Sequence, residues 1–312
     1  RDLTLDIEFA MVRGERVFVE RIDIEGNTTT LDRVIRRQFR VVEGDPFNPR
    51  EIRQSAERIR ALGLFATADV EAREGSSEDQ VIIDVNVEEQ PTGSISFGAS
   101  YSTEGGVGAT IGFRERNFLG RGQSLSFQIS AAEENQEYSF TFAEPAFLSR
   151  DLRFGLELSY RETEGFLANY DTAIGRFQPS FTFPVSENGR LQLRYTTEYS
   201  DISIEDPADV GPIIQDEAAR GGIYTSSIGY TYSYDTRRTG LNPNAGVLLE
   251  FGQDFAGLGG DDTFIRTTAR AVAQTRVLRE EVTLRASLEG GVLSYSEGSS
   301  RVTDRFFLGP SR

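Results

Sequence analysis

From Ser94 to Tyr101 the apolar residues Ile95, Phe97, Ala99 and Tyr101 alternate with Ser94, Ser96, Gly98 and Ser100. After a break at 102–106 the alternation resumes, with Val107, Ala109, Ile111 and Phe113 set against Gly108, Thr110 and Gly112. A two-residue period predicts strands with one apolar and one polar face. The same pattern puts Leu125, Phe127 and Ile129 opposite Ser124, Ser126, Gln128 and Ser130, and Tyr138, Phe140 and Phe142 opposite Ser139 and Thr141. Leu152, Phe154, Leu156, Leu158 and Tyr160 then alternate with Arg153, Gly155, Glu157, Ser159 and Arg161. Later apolar rows run through Leu191, Leu193, Tyr195 and Tyr199; Ile228, Tyr230, Tyr232 and Tyr234; Val247, Leu249, Phe251 and Phe255; and Val282, Leu284, Ala286, Leu288 and Val292. Two strands are irregular. Within 169–183 the apolar parity shifts between Ile174 and Phe177, which predicts a bulge near Gly175 or Pro179. Within 263–277 Arg266, Arg270, Gln274 and Arg276 share a parity, so Ala269, Ala271 and Ala273 take the apolar side.

Residues 16–89 carry a different rhythm. "RVFVERIDIEGN" reads as a strand through Val17 and Val19, with a register change before Ile22 and Ile24 and a turn at Gly26-Asn27. Leu31, Val34, Ile35, Gln38, Phe39 and Val42 fall at helical spacing, with Thr30 as the expected N-cap and Gly44 as the stop. A second helix is expected after Asn48 as N-cap, with Pro49 first, Glu51 completing a capping box, and Ile52, Ala56, Ile59 and Leu62 as its apolar stripe up to Gly63. Two strands, "FATADVEARE" and "QVIIDVNVEE", complete a βααββ module.

A polar face of serine and glycine is too small to fill a core, so the strand-rich part is either a soluble sandwich, buried on its apolar side, or a membrane barrel turned inside out. The strands are about ten residues long, enough when tilted to span an outer-membrane apolar band. Connections such as "NFLGRGQ" and "FPVSENGR" are tight while "ISIEDPADVGPIIQDEAARGG" is long, as periplasmic turns and extracellular loops are. Tyrosine and phenylalanine crowd strand ends, as in an aromatic girdle. Arg153 and Glu157, on the polar parity, would be costly against lipid and ordinary against a wet lumen. The pattern therefore favours an antiparallel transmembrane β-barrel. It yields eleven strands over 92–294, an odd number, whereas bacterial single-chain barrels close with an even one. An open sheet in lipid would leave backbone groups unsatisfied at both edges, so further strands are expected.

Composition narrows the chemistry. The 312 residues carry a formal net charge of −16, which argues against a nucleic-acid partner. Cysteine and histidine are both absent, which removes disulfides, thiolate zinc sites and histidine-based catalysis. No window approaches the run of apolar residues that a membrane helix requires. "GGVGAT" imitates a phosphate loop but opens a strand and lacks the following lysine. "NTT" at Asn27 reads as a hairpin end feeding a helix, and "IEDPADVGPIIQDE" as a solvated acidic loop without calcium-loop spacing. No catalytic residues, cofactor or metal are expected.

The segments "IDIEGN", "VIRRQFRVVEGDPFN" and "RIRALGLFATADV" make residues 15–90 closely resemble a POTRA domain, and 1–14 are similar to the last strand of a preceding repeat. "EEQPTGSISFGASYSTEGGVGATIGFRERNFLGRGQSL", "EPAF", "SYDTRRTGLNPNAG" and the terminal "DRFFLGPSR" resemble the BamA family of outer-membrane protein insertases over nearly the whole chain. On that resemblance 91–312 form the N-terminal part of the barrel, ending in a long extracellular loop. The segment that follows in the family, with its Val-Arg-Gly-Phe-type motif, and the remaining strands lie outside this chain, which is expected to be truncated at both ends. The resemblance implies a lateral gate whose first strand comprises Gly93, Ser94, Ile95, Ser96, Phe97, Gly98, Ala99, Ser100 and Tyr101. Gly93 and Gly98 among serines make that strand poor at pairing, hence easily opened for an incoming client strand. It further implies a client-holding POTRA edge at Phe65, Ala66, Ala68 and Val70, an accessory-lipoprotein contact at Arg36 and Glu43, and a periplasmic turn at Asp235, Arg237, Pro243 and Gly246. The implied partners are unfolded outer-membrane protein clients, accessory lipoproteins, and outer-membrane lipid and lipopolysaccharide. The implied location is the outer membrane of a Gram-negative bacterium, with the POTRA domain in the periplasm. The alternative within the same superfamily is a POTRA-containing secretion or translocation pore.

Overall fold

The computed structural model describes residues 16–102, 106–132, 135–164, 169–237, 245–279 and 281–306. The chain divides into two units, Arg1–Thr92 with Asn117–Gly122, and Gly93–Arg116 with Gln123–Arg312. The expected strand at 1–14 lies outside the described residues.

The first unit contains β1 (Phe18–Glu25), α1 (Asp32–Arg36), α2 (Pro49–Ala61), β2 (Phe65–Glu74) and β3 (Gln80–Glu89). The sheet order is β1-β3-β2, with β3 parallel to β1 and antiparallel to β2. The register change in β1 falls between Val19 and Arg21, and a second one, between Phe65 and Thr67, bulges Ala66 out of β2. α2 starts as its sequence dictates: the Asn48 side chain accepts the Arg50 N–H and Pro49 occupies the first turn. Glu51 does not close the capping box; it lies 3.8 Å from Arg58. α1 departs further. It is a five-residue helix capped by Leu31 without a side-chain bond, so Thr30 is not its N-cap, and Phe39 and Val41 are buried beyond its end. Thr30 is diverted because its hydroxyl accepts a hydrogen bond from Asn117 and its N–H donates to Glu89. Val34 and Ile35 of α1 and Ile52 and Ile59 of α2 pack on Val19, Ile22, Ile83 and Val85 of the sheet. Each such side chain contributes about 1.5–3 kcal/mol on burial.

The second unit is one sheet of eleven strands in sequence order, every neighbour antiparallel where its register is resolved. It runs β4 (Gly93–Ser102), β5 (Gly106–Phe118), β6 (Gln123–Ala132), β7 (Asn135–Glu144), β8 (Arg153–Thr163), β9 (Asp171–Pro184), β10 (Gly189–Ser203), β11 (Ile223–Asp235), β12 (Gly246–Ala256), β13 (Thr263–Val277) and β14 (Val282–Glu297). β4 and β14 are its edges. Among the described residues no second sheet covers it, and the extended cluster of buried apolar side chains lies in the first unit, with scattered ones such as Leu248, Phe264 and Val272 buried here. Phe97, Ile111 and Phe127 are instead 78%, 47% and 38% exposed. A soluble sandwich is thereby excluded, because its bulky face would be covered. Among the described residues no helix is long and apolar enough to cross a membrane, which leaves crossing by strands open.

The bulge expected in β9 is absent. Its pairing with β8 and β10 keeps one register throughout. Ala173, Gly175, Phe177, Pro179, Phe181 and Phe183 share one face, and Arg176 on the other pairs with Glu198. Ile174 is simply an apolar residue on the polar side. The connection 204–222 is not a wholly solvated loop either: it holds α3 (Pro212–Ala219), in which Glu217 is buried.

Candidate functional site

The face pattern of β4 is set residue by residue against β5. On the apolar side Ile95 opposes Phe113, Phe97 opposes Ile111, Ala99 opposes Ala109 and Tyr101 opposes Val107. On the other side Ser96 opposes Gly112, Gly98 opposes Thr110 and Ser100 opposes Gly108. Small therefore meets small at these three pairs, while Ser94 opposes Arg114 at the strand's start, so the middle of the polar side has few side-chain contacts to hold it. Crowding accounts for two of these glycines. A Cβ on Gly112 would lie 2.6 Å from Ser96 Oγ, and one on Gly108 2.7 Å from Ser100 Oγ. It does not account for Gly98, where a Cβ would meet only Thr110 Cβ at an ordinary 3.7 Å. The glycine in mid-β4 thus weakens the strand without a packing reason. Among the described residues β4 pairs on one side only, with β5.

The polar wall changes character away from β4. Arg161 reaches Glu137 at 3.2 Å, Arg176 reaches Glu198 at 2.6 Å, and Arg194 reaches Asp254 at 2.7 Å and Thr231 at 2.6 Å. Arg153 and Glu157 have no such contact with each other: four residues along one strand separate them by about 13 Å, and the ion pairs run across strands instead. On the apolar face the rings form two bands. Phe147, Phe154 and Phe181 lie 5.3–5.6 Å apart near one set of strand ends. Near the other ends Tyr138 stands 6.2 Å from Tyr160 and Tyr199 4.8 Å from Tyr224. Aromatic bands at both rims and bulky aliphatics between them match a lipid-facing surface.

The other sequence-derived positions are placed as follows. Phe65 and Ala68 point into the core, Val70 is half-buried and Ala66 is exposed, all on the edge strand β2. Arg36 and Glu43 face each other at 3.2 Å. Arg36 also binds Asp32 at 2.9 Å and the Ile22 carbonyl at 3.1 Å, while Glu43 accepts the Ile22 N–H. Hydrogen bonding to Asp32 raises the Arg36 pKa, against the opposing effect of burial. Both side chains thus hold α1 to β1 whatever else they do. Arg237 donates through its backbone N–H, Nε and Nη2 to Asp235, each at 2.9 Å, and a Cβ on Gly246 would press on the Arg237 backbone. Pro243 lies outside the described residues.

Sequence reasoning missed two clusters. In the first unit Glu89 accepts from Thr28 Oγ1 at 2.8 Å, the Thr29 N–H at 3.0 Å and the Thr30 N–H at 2.6 Å. Burial works against its charge, but the bonds from Thr30, Thr28 and Thr29 prevail and hold the carboxyl down at about 2. In the second unit Arg301, fully buried, donates to the carbonyls of Ser200, Glu217 and Gly221, while the Glu217 carboxylate takes the Val302 N–H and Arg305. Neither composition nor local spacing marked either cluster, because each joins residues far apart in the chain.

Comparison with known proteins agrees with this geometry. The Omp85 superfamily domain matches residues 117–312, and the POTRA model, described as a surface antigen variable number repeat, matches 17–90. The outer membrane protein assembly factor BamA of Nitratidesulfovibrio vulgaris is 30% identical over 98% of this chain, which spans 38% of that relative. Among solved structures, BamA from Haemophilus ducreyi lacking POTRA domains 1–3 superposes with a TM-score of 0.67 at 20% identity, covering 91% of this chain and 56% of that one. CdiB from Acinetobacter baumannii superposes with a TM-score of 0.59 at 13% identity, over 95% and 55%. A POTRA domain followed by strands that turn their apolar side outward, with the superfamily model matched across most of those strands, places the chain in the Omp85 superfamily.

Proposed function

We propose that this chain is the junction region of an outer-membrane protein insertase, with its POTRA domain in the periplasm and its strands in the outer membrane of a Gram-negative bacterium. The observation that carries the proposal is β4: a first strand with an unneeded glycine, small residues across its polar face, and, among the described residues, one unpaired edge. Strands beyond this chain would complete the barrel and meet β4 in a weak seam, since an open edge in lipid leaves backbone groups unsatisfied. When the seam parts, Gly93, Ser94, Ile95, Ser96, Phe97, Gly98, Ala99, Ser100 and Tyr101 offer N–H and C=O groups to a client strand by β-augmentation. The work is done by hydrogen-bond exchange, with no covalent step.

The edge of β2 at Phe65, Ala66, Ala68 and Val70 would hold client strands on their way, although the Ala66 bulge shortens its regular part. The Arg36–Glu43 pair, at the end of α1 and in the turn beyond it, is a candidate contact for accessory lipoproteins, reached as a paired surface. The Asp235–Arg237 turn would lie at the periplasmic rim, and the aromatic bands would meet lipid and lipopolysaccharide. A second reading, a polypeptide translocation pore, has support in the likeness to CdiB. The two are separated by a cysteine at Ala99 joined to one on the closing strand of the full-length chain. Oxidation is expected to stop client assembly at least tenfold, and reduction to restore it. Full assembly by the locked protein would refute lateral release and favour the pore.

A further inference from the structure

Among the described residues, three of the six non-glycine residues at positive φ are leucines: Leu119 at +54, Leu148 at +54 and Leu278 at +51. Each sits in a connection between consecutive strands, β5–β6, β7–β8 and β13–β14. Two of these connections repeat in sequence and in bonding. In "FLGR" the Arg121 N–H donates to the Phe118 carbonyl at 3.2 Å, and in "FLSR" the Arg150 N–H donates to the Phe147 carbonyl at 3.2 Å. Both central residues of each turn take positive φ, Leu119 with Gly120 and Leu148 with Ser149, a geometry for which Asn-Gly is a preferred pair. Leu278 and Arg279, at +51 and +59, take positive φ together in the third connection. A leucine there crowds its Cβ against the following carbonyl, which asparagine tolerates better. The turn therefore does not call for leucine. Nor does a core, since Leu148 is 73% and Leu278 72% exposed.

The β7–β8 and β13–β14 connections lie on one rim of the sheet, because the strands from β7 to β14 follow in sequence order and are antiparallel. They are six strand spacings apart, roughly 30 Å along the sheet at about 4.8 Å each. One small docking partner would not meet both, whereas a continuous layer along the rim would. Phe147, beside Leu148, packs with Phe154 and Phe181 in the outward aromatic band, so this leucine adjoins the lipid-facing surface. Within two residues of each leucine stands an exposed arginine, Arg150 or Arg279, in a chain of net charge −16. Among the described residues neither is paired with a carboxylate, unlike Arg161, Arg176 and Arg194 on the polar wall. A bulky apolar tip beside an unpaired cation suits the boundary between acyl chains and phosphate head groups. We propose that Leu148 and Leu278 are interfacial anchors, seated in the acyl layer of a phospholipid leaflet with Arg150 and Arg279 at its phosphates. That seat is what keeps leucine in a disfavoured backbone. Leu119, with Arg121, repeats the local pattern. The inference rests on the strands' crossing a membrane, as proposed above, and not on what the barrel does to clients.

The test uses the full-length chain folded into liposomes of phosphatidylethanolamine and phosphatidylglycerol. Leu148→Asn and Leu278→Asn suit the left-handed backbone, so both variants should fold. Each is expected to lower the folded-to-unfolded ratio in urea about fivefold, and the two together about twenty-five-fold, because sites this far apart add. A spin label on Asp151→Cys should collide about threefold more often with an aqueous nickel chelate once Leu148→Asn is present. If the leucines served the turns alone, asparagine would relieve the backbone and the sign would reverse. A ratio that rises or stays level in both variants therefore overturns the anchor, as does an unchanged collision rate. A wild-type label that the chelate reaches freely until an accessory protein is added overturns it as well, because the occupant is then a protein. Wild-type chain that fails to enter the liposomes overturns the membrane reading itself, and is told apart by needing no substitution.

Discussion

Ile83 in the middle of β3 is fully buried, while Phe97 in the middle of β4 is 78% exposed, although both are bulky apolar residues inside strands. The difference lies in what covers them. β3 has a strand on each side and two helices over one face, so its apolar side chains leave water on folding. The sheet that starts at β4 has no covering layer among the described residues, so its apolar side chains leave water only by entering lipid. One chain thus uses two solvents. The first unit is stabilised by its interior, the second by its surroundings, and the same substitution should act differently in each.

The largest contrast is expected from truncation in the core. Ile83→Ala should destabilise the first unit by about 2–5 kcal/mol, read as faster hydrogen exchange of the β3 amides in the intact protein. Phe97→Ala should leave that exchange unchanged; equal effects would erase the distinction. Next comes a charge placed on either face of β8. Leu158→Arg should cost about 2–4 kcal/mol in denaturant unfolding from liposomes, and its neighbour Ser159→Arg about 0.5 kcal/mol or less. If both cost the same, the outward face does not meet lipid. The smallest effect sharpens the first unit alone. The Glu89 carboxyl is held at about 2 in the folded chain, below its ordinary value of 4.5. Its contribution is therefore complete above pH 4.5 and lost as pH falls toward 2. Discounted for solvent screening it is about 1 kcal/mol. Acid titration of β3 exchange should show this loss, and Glu89→Gln should flatten it.

The strand-rich region was legible because dyads such as Phe97/Gly98 and Leu158/Ser159 report a single half-covered sheet, whichever solvent covers it. Periodicity could not name that solvent; the exposure of Phe97, Ile111 and Phe127, together with the match to the Omp85 superfamily domain, does. Local signals also set α2, where Asn48 and Pro49 act within one turn. They failed where a distant residue competes. Thr30 looks like a cap, but Asn117 and Glu89 claim its polar groups from 87 and 59 residues away. Ile174 suggested a bulge because one apolar residue on the wet side mimics a change of parity. Arg301 gave no warning at all, since a buried guanidinium whose Nη atoms bond distant backbone carbonyls leaves no pattern in sequence.

The placing of β3 has a mechanical corollary. It is the middle strand of its sheet and the one whose chain continues, after Gln90, Pro91 and Thr92, into β4. Among the described residues, pulling β3 out of its sheet would mean breaking two hydrogen-bond ladders, and pulling β4 out of its sheet only one.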